Sequence, residues 1–226
     1  MTPSPQSPQS TPEPSGPPTV TPRPGGAPTS HYFAPDPAVA SSRRAVTLAL
    51  PDLTVRLTTD RGVFSAAAVD PGTKLLLLEA PPPPPTGDVL DLGCGYGAIA
   101  VTLARRAPAA TVWAVDVNER ALGLCRENAA AASVANVRPV RPDDVPGEVT
   151  FAAVYSNPPI RIGKAALHDL LVRWLGRLSP DGHAFLVVQK HLGADSLAAW
   201  LEAQGWSVHR LARRQGYRLL DVVASS

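Results

Sequence analysis

Cysteine is scarce in this chain, which has only Cys94 and Cys125 among its 226 residues. Two cysteines make neither a disulfide framework nor a metal-ligand cluster, so no metal is expected and a reducing compartment is the default. No apolar run approaches the roughly 20 residues that a membrane-spanning helix needs. The first residues also lack the basic-then-apolar order of a signal peptide. These absences predict a cytoplasmic protein without a membrane partner.

The net charge of the chain is small, and aromatic side chains are few. Lysine and arginine number 21 against 19 acidic residues, a net charge of +2, and aromatic residues make up 5% of the chain. A dedicated non-specific DNA-binding protein would be more basic, so the balance permits a nucleic-acid partner without requiring one. The hydrophobic fraction of 44% is enough for one domain with a substantial core.

Proline is abundant where apolar residues are missing. Residues 1–30 are almost entirely Pro, Ser, Thr, Gln and Gly. Such a segment has too little apolar surface to offset its ordering entropy, so a disordered tail is predicted. The folded domain is expected over residues 31–226, with an N-terminal extension at 31–80 and a core at 86–226.

The extension carries the pattern of a hairpin followed by a helix. Residues 45–50 and 53–57 alternate around Pro51-Asp52 and predict a β-hairpin. Residues 62–65 are expected to add a short strand, and 74–80 a short helix. The five prolines that follow cannot continue that helix, so they predict a stiff connection to the core.

The core alternates strand and helix patterns. This alternation predicts an α/β fold in which a mostly parallel sheet is covered by helices on both faces and binds ligands at the carboxyl ends of its strands. The predicted sheet has seven strands, the last two an antiparallel hairpin around Gly216. The strands are expected at 88–92, 111–117, 137–140, 151–156, 183–189, 207–213 and 217–223, and the helices at 98–106, 119–132, 164–178 and 195–204.

A glycine loop, Leu-Asp-Leu-Gly-Cys-Gly-Tyr-Gly, follows the first core strand. Gly93, Gly95 and Gly97 let the backbone approach a ligand without Cβ atoms in the way, and the next helix offers unpaired N–H groups at its start. With Ala98, the same spacing also satisfies the dinucleotide-binding pattern. Asp91 distinguishes the two, because an acid disfavours an anionic pyrophosphate and suits the cationic amino group and sulfonium of S-adenosylmethionine.

Three polar residues after the next two strands complete the predicted cofactor site. Asp116 ends its strand where a carboxylate can accept hydrogen bonds from both ribose hydroxyls. Asn118 is grouped with this site, although it also fits the N-cap of the following helix. Asp143, with Asp144, is placed to meet the adenine amino group. A polar turn before Pro146-Gly147 is the alternative for these two residues.

The predicted catalytic residues are Asn157, Pro158 and Pro159, which follow the fourth core strand. Consecutive prolines fix the backbone, so the Asn157 side chain and nearby carbonyls hold fixed positions. Two such acceptors can bind the N–H groups of an exocyclic amine and point its lone pair at a methyl donor. Asn157 is also expected to border the cofactor. Without the upstream glycine loop, the triplet would be interpreted only as a turn that ends the strand.

These stretches resemble the methyltransferase small domain family. The resemblance rests on residues 90–100, 115–118 and above all 156–164, with further matches at 31–33, 60–65 and 188–191. It implies a Rossmann-like class I methyltransferase that uses S-adenosylmethionine, in a single-domain form. It also implies guanine N2 of 16S ribosomal RNA as the acceptor, with ribosomal RNA or the small subunit as partner. The substrate-binding residues would be Ile160, Arg161 and Lys164.

Other functions remain open at this stage. Adenine N6 in nucleic acid and a glutamine side-chain amide in protein are acceptors for which a similar Asn-Pro-Pro clamp would serve. A non-catalytic S-adenosylmethionine-binding module belongs to another class, and the intact glycine loop and Asn157 argue against it. An NAD-linked oxidoreductase is weakened by the absence of a recognisable hydride-transfer set.

Overall fold

The computed structural model describes Met1 and residues 39–224. The predicted tail over 1–30 and the motif at 31–33 lie outside the described residues. The strands are β1 (Arg44–Ala49), β2 (Thr54–Thr59), β3 (Thr86–Leu92), β4 (Ala109–Val115), β5 (Val137–Val140), β6 (Phe151–Ser156), β7 (Leu178–Gln189), β8 (Trp206–Arg214) and β9 (Tyr217–Ala224). The α-helices are α1 (Pro71–Glu79), α2 (Ala98–Arg106), α3 (Glu119–Ala131), α4 (Lys164–Leu175) and α5 (Ala194–Ala203).

One seven-stranded sheet organises the core in the order β5-β4-β3-β6-β7-β9-β8. The strands from β3 to β7 run parallel, whereas β9 is antiparallel to both β7 and β8. The predicted mixed sheet with an antiparallel last hairpin is therefore confirmed. Its strand order reverses direction between β3 and β6, which places the ligand-binding crevice of such folds beside these two strands.

Both faces of the sheet are covered. Apolar side chains of α1, α2 and α3 pack on one face with the β1–β2 hairpin, and those of α4 and α5 pack on the other. The central strands are buried on both sides, as Val89 and Leu90 illustrate, because a parallel sheet faces helices in both directions. None of the helices in the described part of the chain is long and apolar enough to cross a membrane.

Three sequence predictions of local structure are wrong. Residues 62–65 form turns instead of a strand, because Gly62 and Ser65 both have positive φ angles, 81° and 57°. Helix α4 ends at Leu175 instead of continuing to 178, where β7 already begins. Strand β4 stops at Val115, two residues early, which frees Asp116 for the loop.

The β1–β2 hairpin is fastened to the glycine loop by one buried side chain. The Asn128 carboxamide on α3 accepts from the Thr58 N–H at 2.7 Å and donates to the Thr58 carbonyl at 2.8 Å. It also donates to the Tyr96 carbonyl at 2.8 Å. Because an unpaired buried amide is costly, this set of bonds fixes the hairpin relative to the loop.

Candidate active site

A cavity of about 330 Å³ opens at the carboxyl ends of β3, β4, β6 and β7, beside the position where the strand order reverses. Its volume falls within the range of small-molecule and cofactor sites. The predicted site residues that line it are Gly93, Gly95, Asp116, Asn118, Asn157, Pro158, Pro159, Ile160 and Arg161. The topology has therefore brought both predicted loops to one cavity.

The glycine loop after β3 is shaped by its own backbone. The N–H groups of Gly93 and Cys94 both donate to the Val115 carbonyl, at 2.9 and 3.0 Å. All three glycines of the loop have positive φ, a conformation that side chains with a Cβ rarely adopt. Gly97 does not line the cavity: a Cβ there would lie 2.6 Å from the Cys125 sulfur, so its role is close packing of α2 on α3.

Asp116 bridges the glycine loop and the start of α3. One carboxylate oxygen accepts from the Gly95 N–H at 2.9 Å, and the other accepts from the Asn118 N–H at 2.9 Å. Burial raises the pKa of this carboxyl, partly opposed by those backbone donors. Each carboxylate oxygen can accept a further bond, so Asp116 keeps acceptor capacity toward the cavity that it lines.

Asn118 is the N-cap of α3 and also lines the cavity, so its cap role is confirmed and its contact with a cofactor stays a prediction. Its side chain caps α3 by accepting from the Ala121 N–H at 3.2 Å. It also donates to the Gly62 carbonyl at 2.8 Å and is 1% exposed. This second bond holds the 62–65 turns over the cavity, where Val63 and Phe64 contribute to the lining.

Asp91 lies beneath the loop instead of lining the cavity. The side chain is fully buried, and its Oδ2 accepts from the Ala100 N–H at 2.9 Å, which satisfies a donor in the first turn of α2. Its Oδ1 has no hydrogen-bond partner among the described residues. Burial, with a smaller contribution from Asp116, raises the pKa of Asp91 to about 8. Direct cofactor contact by Asp91 stays a prediction.

The Asn157 carboxamide is oriented by residues from the start of α1. Its Nδ2 donates to Asp70 Oδ2 at 2.8 Å and to Thr73 Oγ1 at 3.1 Å. An ionised carboxylate only accepts hydrogen bonds, so the nitrogen must face Asp70. The carboxamide oxygen is therefore left for the cavity, which Asn157 lines.

A second set of bonds supports Asp70 from the other side. Asp70 caps α1 by accepting from the Thr73 N–H at 3.1 Å. The Tyr217 hydroxyl lies 3.4 Å from Asp70 Oδ1 and accepts from Gln189 Nε2 at 2.6 Å. Gly72 permits this packing, because a Cβ there would approach the Tyr217 ring to 2.5 Å. The sequence-based site did not include Asp70, Thr73 or Tyr217; the Asp-Pro-Gly-Thr cap signature before α1 was the available signal for the first two.

Only some of the remaining predicted residues line the cavity. Ile160 and Arg161 belong to a short 3-10 helix, Ile160–Ile162, and line the cavity. Lys164 begins α4 and is exposed, but it does not line the cavity. Asp143 does not line it either: its carboxylate is 87% exposed and pairs with Arg173 at 3.0 Å. The adenine contact predicted for Asp143 thus gains no support from this geometry.

Comparison with known proteins decides the family. The model of the methyltransferase small domain matches residues 54–221. The chain belongs to this family. It is an S-adenosylmethionine-dependent class I methyltransferase of the RsmC-like type.

Individual relatives differ in how much of their length this chain spans. It is 35% identical to the uncharacterized protein YbxB of Bacillus subtilis, over 85% of this chain and 97% of that protein. It is 34% identical to ribosomal RNA small subunit methyltransferase C of Shewanella oneidensis, over 61% of this chain but only 41% of that protein. Among solved structures it resembles a 16S rRNA N2 methyltransferase (RsmC) of T. thermophilus in complex with AdoMet and guanosine. That match has a TM-score of 0.66 and 26% identity, and covers 83% of this chain and 52% of the other.

Proposed function

We propose that this methyltransferase transfers the methyl group to an exocyclic amino group, guanine N2 of 16S ribosomal RNA. The observation that carries the proposal is the orientation of Asn157. With its nitrogen bound to Asp70 and Thr73, its oxygen is the atom available to accept a hydrogen bond in the cavity. An amide acceptor at this position suits a donor N–H group of a base.

The residues around the cavity fit S-adenosylmethionine. In this proposal Gly93 and Gly95 give the backbone close access, Asp116 binds the ribose hydroxyls, and Asn118 maintains the loop that carries Asp116. The cofactor supplies an electrophilic methyl group. The residues of the chain bind and orient the cofactor and the acceptor.

Asn157 and the Pro158 carbonyl act on the amine in this scheme. The Pro158 carbonyl accepts from the Ile160 N–H at 2.8 Å and has a second lone pair. Two acceptors that bind the two N–H groups of an amine draw its nitrogen away from conjugation with the ring and direct its lone pair at the methyl donor. Holding reactants in line is worth up to about 7–11 kcal/mol in well-oriented systems.

No general base is required before transfer in this mechanism. The amine proton becomes acidic only when the nitrogen carries the methyl group and a positive charge. Asn157 Oδ1, already bonded to an N–H of that amine, then stabilises the charge that develops. Ile160, which lines the cavity beside Pro159, offers an apolar surface to the base, and Arg161 offers a cation to the adjoining phosphate.

The names of the similar proteins favour guanine in ribosomal RNA as the substrate. The methyltransferase C proteins are named for the small-subunit RNA, and the T. thermophilus protein for N2 of 16S rRNA. A target base in structured RNA must be unpaired or flipped out before it reaches a cavity of this kind. Asn157 alone does not separate guanine from adenine or from a glutamine amide.

Nucleoside analysis of ribosomal RNA tests the proposal. Small-subunit RNA from a strain lacking the gene should be missing one N2-methylguanosine, and restoring the wild-type gene should return it. Restoring the gene with Asn157→Ala should not. An unchanged set of methylated guanines would overturn the ribosomal RNA substrate. Methylation of adenine N6 or of a release factor glutamine in the same lysates would then identify one of the two rivals.

A further inference from the structure

A group of basic residues, most of them exposed, surrounds the tip of the β8–β9 hairpin, next to the cavity. We call it the hairpin surface and define it by Lys190, His191, Arg213, Arg214 and Arg218. Of these, Arg218 is half-buried and the others are exposed. None of them takes part in the ion pairs found among residues 39–224.

The sheet register brings these residues together. Arg213 on β8 lies directly opposite Arg218 on β9, and Arg214 lies opposite Tyr217. The Lys190 N–H donates to the Gly216 carbonyl at 2.7 Å, which ties the short 3-10 helix Lys190–Leu192 to the hairpin tip. The surface therefore combines the end of β7 with the turn between β8 and β9.

This surface adjoins the cavity. Gln189 and Tyr217 line the cavity, and they are the chain neighbours of Lys190 and Arg218. Leu192, two residues further on, also lines it and is 36% exposed. A polymer that inserts one unit into the cavity would thus carry its neighbouring units across the hairpin surface.

Several arginines elsewhere on the described chain are paired with acidic side chains. Arg43 is paired with Glu127, Arg106 with Asp52 and Arg173 with Asp143. In the hairpin, by contrast, Arg213 faces Arg218. Like charges directly opposite each other destabilise a strand pair. Such an arrangement indicates a surface suited to an anion from outside the chain.

We propose that the hairpin surface binds the phosphate backbone of RNA beside the target nucleotide. The inference rests on the proposed function and names the elements that dock its substrate. A phosphate backbone fits because it presents one charge per nucleotide along a line, and because cations near a cavity position a nucleic acid without reading its sequence.

The charges have one competing explanation that needs no ligand. Strand β8 is an edge of the sheet, and cations on an edge strand discourage pairing with another chain. The two explanations differ in what happens when charge is removed. Edge protection predicts self-association with unchanged RNA binding, whereas docking predicts weaker RNA binding by a protein that is still monomeric.

The test compares the double variant R213E/R214E with a control, R56E/R105E, on the full chain. Arg56 and Arg105 are exposed and take part in no ion pair among the described residues; they lie on β2 and at the end of α2. Binding of a short fluorescein-labelled RNA and of 16S ribosomal RNA is measured by anisotropy over a range of KCl concentrations. S-adenosylhomocysteine binding is measured by calorimetry on the same samples.

For R213E/R214E we expect RNA affinity about 10-fold lower or more, and a log–log salt slope that is shallower by roughly one for each phosphate no longer neutralised. Affinity for S-adenosylhomocysteine should match the wild type, and R56E/R105E should bind RNA within about 2-fold of it. If the glutamates cause aggregation, R213Q/R214Q gives the same readings with a smaller change. Equal loss in both double variants, or no loss in the hairpin variant, would overturn the proposal.

The two proposals fail separately in this design. A hairpin variant that binds RNA normally refutes the docking surface and leaves methylation of guanine untouched. Conversely, wild-type protein that binds RNA through the hairpin but methylates no RNA nucleoside refutes the proposed function alone. Wild-type protein that binds poly-glutamate as tightly as RNA at equal salt would refute the assignment to a phosphate backbone.

Discussion

The two loops that face each other across the cavity are held in place by different means. The loop after β3 is shaped by glycines with positive φ and by hydrogen bonds to Val115, the last residue of β4, and to Asp116, which follows it. The loop after β6 depends for its functional side chain on Asp70 and Thr73, more than 80 residues earlier in the chain. In the proposed function the loop after β3 forms a cofactor half, built by local backbone, and the loop after β6 forms an acceptor half, oriented by the N-terminal extension.

This difference predicts separate effects for substitutions in the two halves. Substitutions in the cofactor half should alter binding of S-adenosylmethionine. Substitutions in the acceptor half should alter turnover and leave cofactor binding intact, because interactions made chiefly in the transition state affect kcat.

The largest effect is expected for Asn157→Ala. Loss of an acceptor that strengthens as charge develops should lower kcat by roughly two to three orders of magnitude. Affinity for S-adenosylmethionine, measured by calorimetry, should stay near the wild-type value. Wild-type turnover would reduce the Asn-Pro-Pro triplet to a strand terminus, and a parallel loss of cofactor binding would erase the distinction between the two halves.

Asp116→Ala should weaken cofactor binding and leave turnover nearly unchanged. Unmatched ribose hydroxyls and a loosened Gly95 N–H should weaken S-adenosylhomocysteine binding by about 1–3 kcal/mol, or roughly 5-fold to 150-fold in Kd. The rate at saturating cofactor should remain within a few-fold of wild type. Unchanged cofactor affinity would remove Asp116 from the cofactor half.

A smaller effect is expected at Asp70, which acts through Asn157. Asp70→Ala removes the acceptor that fixes the carboxamide, so kcat should fall about 10-fold through misorientation, with cofactor Kd unchanged. Asp70→Asn is the control, because one amide oxygen can replace Oδ2 toward both Thr73 and Asn157. If the alanine and asparagine variants lose turnover equally, the orienting role is wrong.

Asp91 provides the mildest test, through pH. Its native pKa is raised to about 8, whereas an unfolded aspartate titrates near about 4. Between these values the native state binds the additional proton, so stability falls as pH rises. The Asp91→Asn variant should lack this trend. The difference between its Tm and that of the wild type should therefore increase by a few degrees in favour of the variant as pH rises from 5 to 8. Parallel Tm curves would contradict the buried, protonated state of Asp91.

The sequence predicts the local features of both loops but not the long-range contacts that orient them, for physical reasons. Positive φ at Gly93 and Gly95 and the cap at Asn118 are local properties that the residue types themselves report. The parallel arrangement of the core strands also follows from the alternation of elements. The partners of Asn157 could not be found this way, because contact between α1 and the loop after β6 arises only when the sheet assembles.

The same limit explains the predicted residues whose surroundings the sequence did not indicate. Asp143 has the expected residue type after the third core strand, but its direction depends on Arg173 of α4, which is distant in sequence. Asp91 was interpreted as a charge facing the cofactor, whereas the fold buries it under α2. The apolar pattern at 62–65 suggested a strand, and only the positive φ of Gly62 and Ser65 accounts for the turns.

A double-mutant cycle between Asp70 and Asn157 tests the central claim most directly. If Asp70 affects turnover only by orienting the Asn157 carboxamide, the combined alanine variant should be no slower than Asn157→Ala alone, within about 2-fold. Single-turnover rates of the wild type, both single variants and the double variant, all at saturating S-adenosylmethionine, give this result. If the fold losses in rate of the two single variants multiply in the double variant, the two residues act independently. That result would contradict an acceptor half oriented by the N-terminal extension.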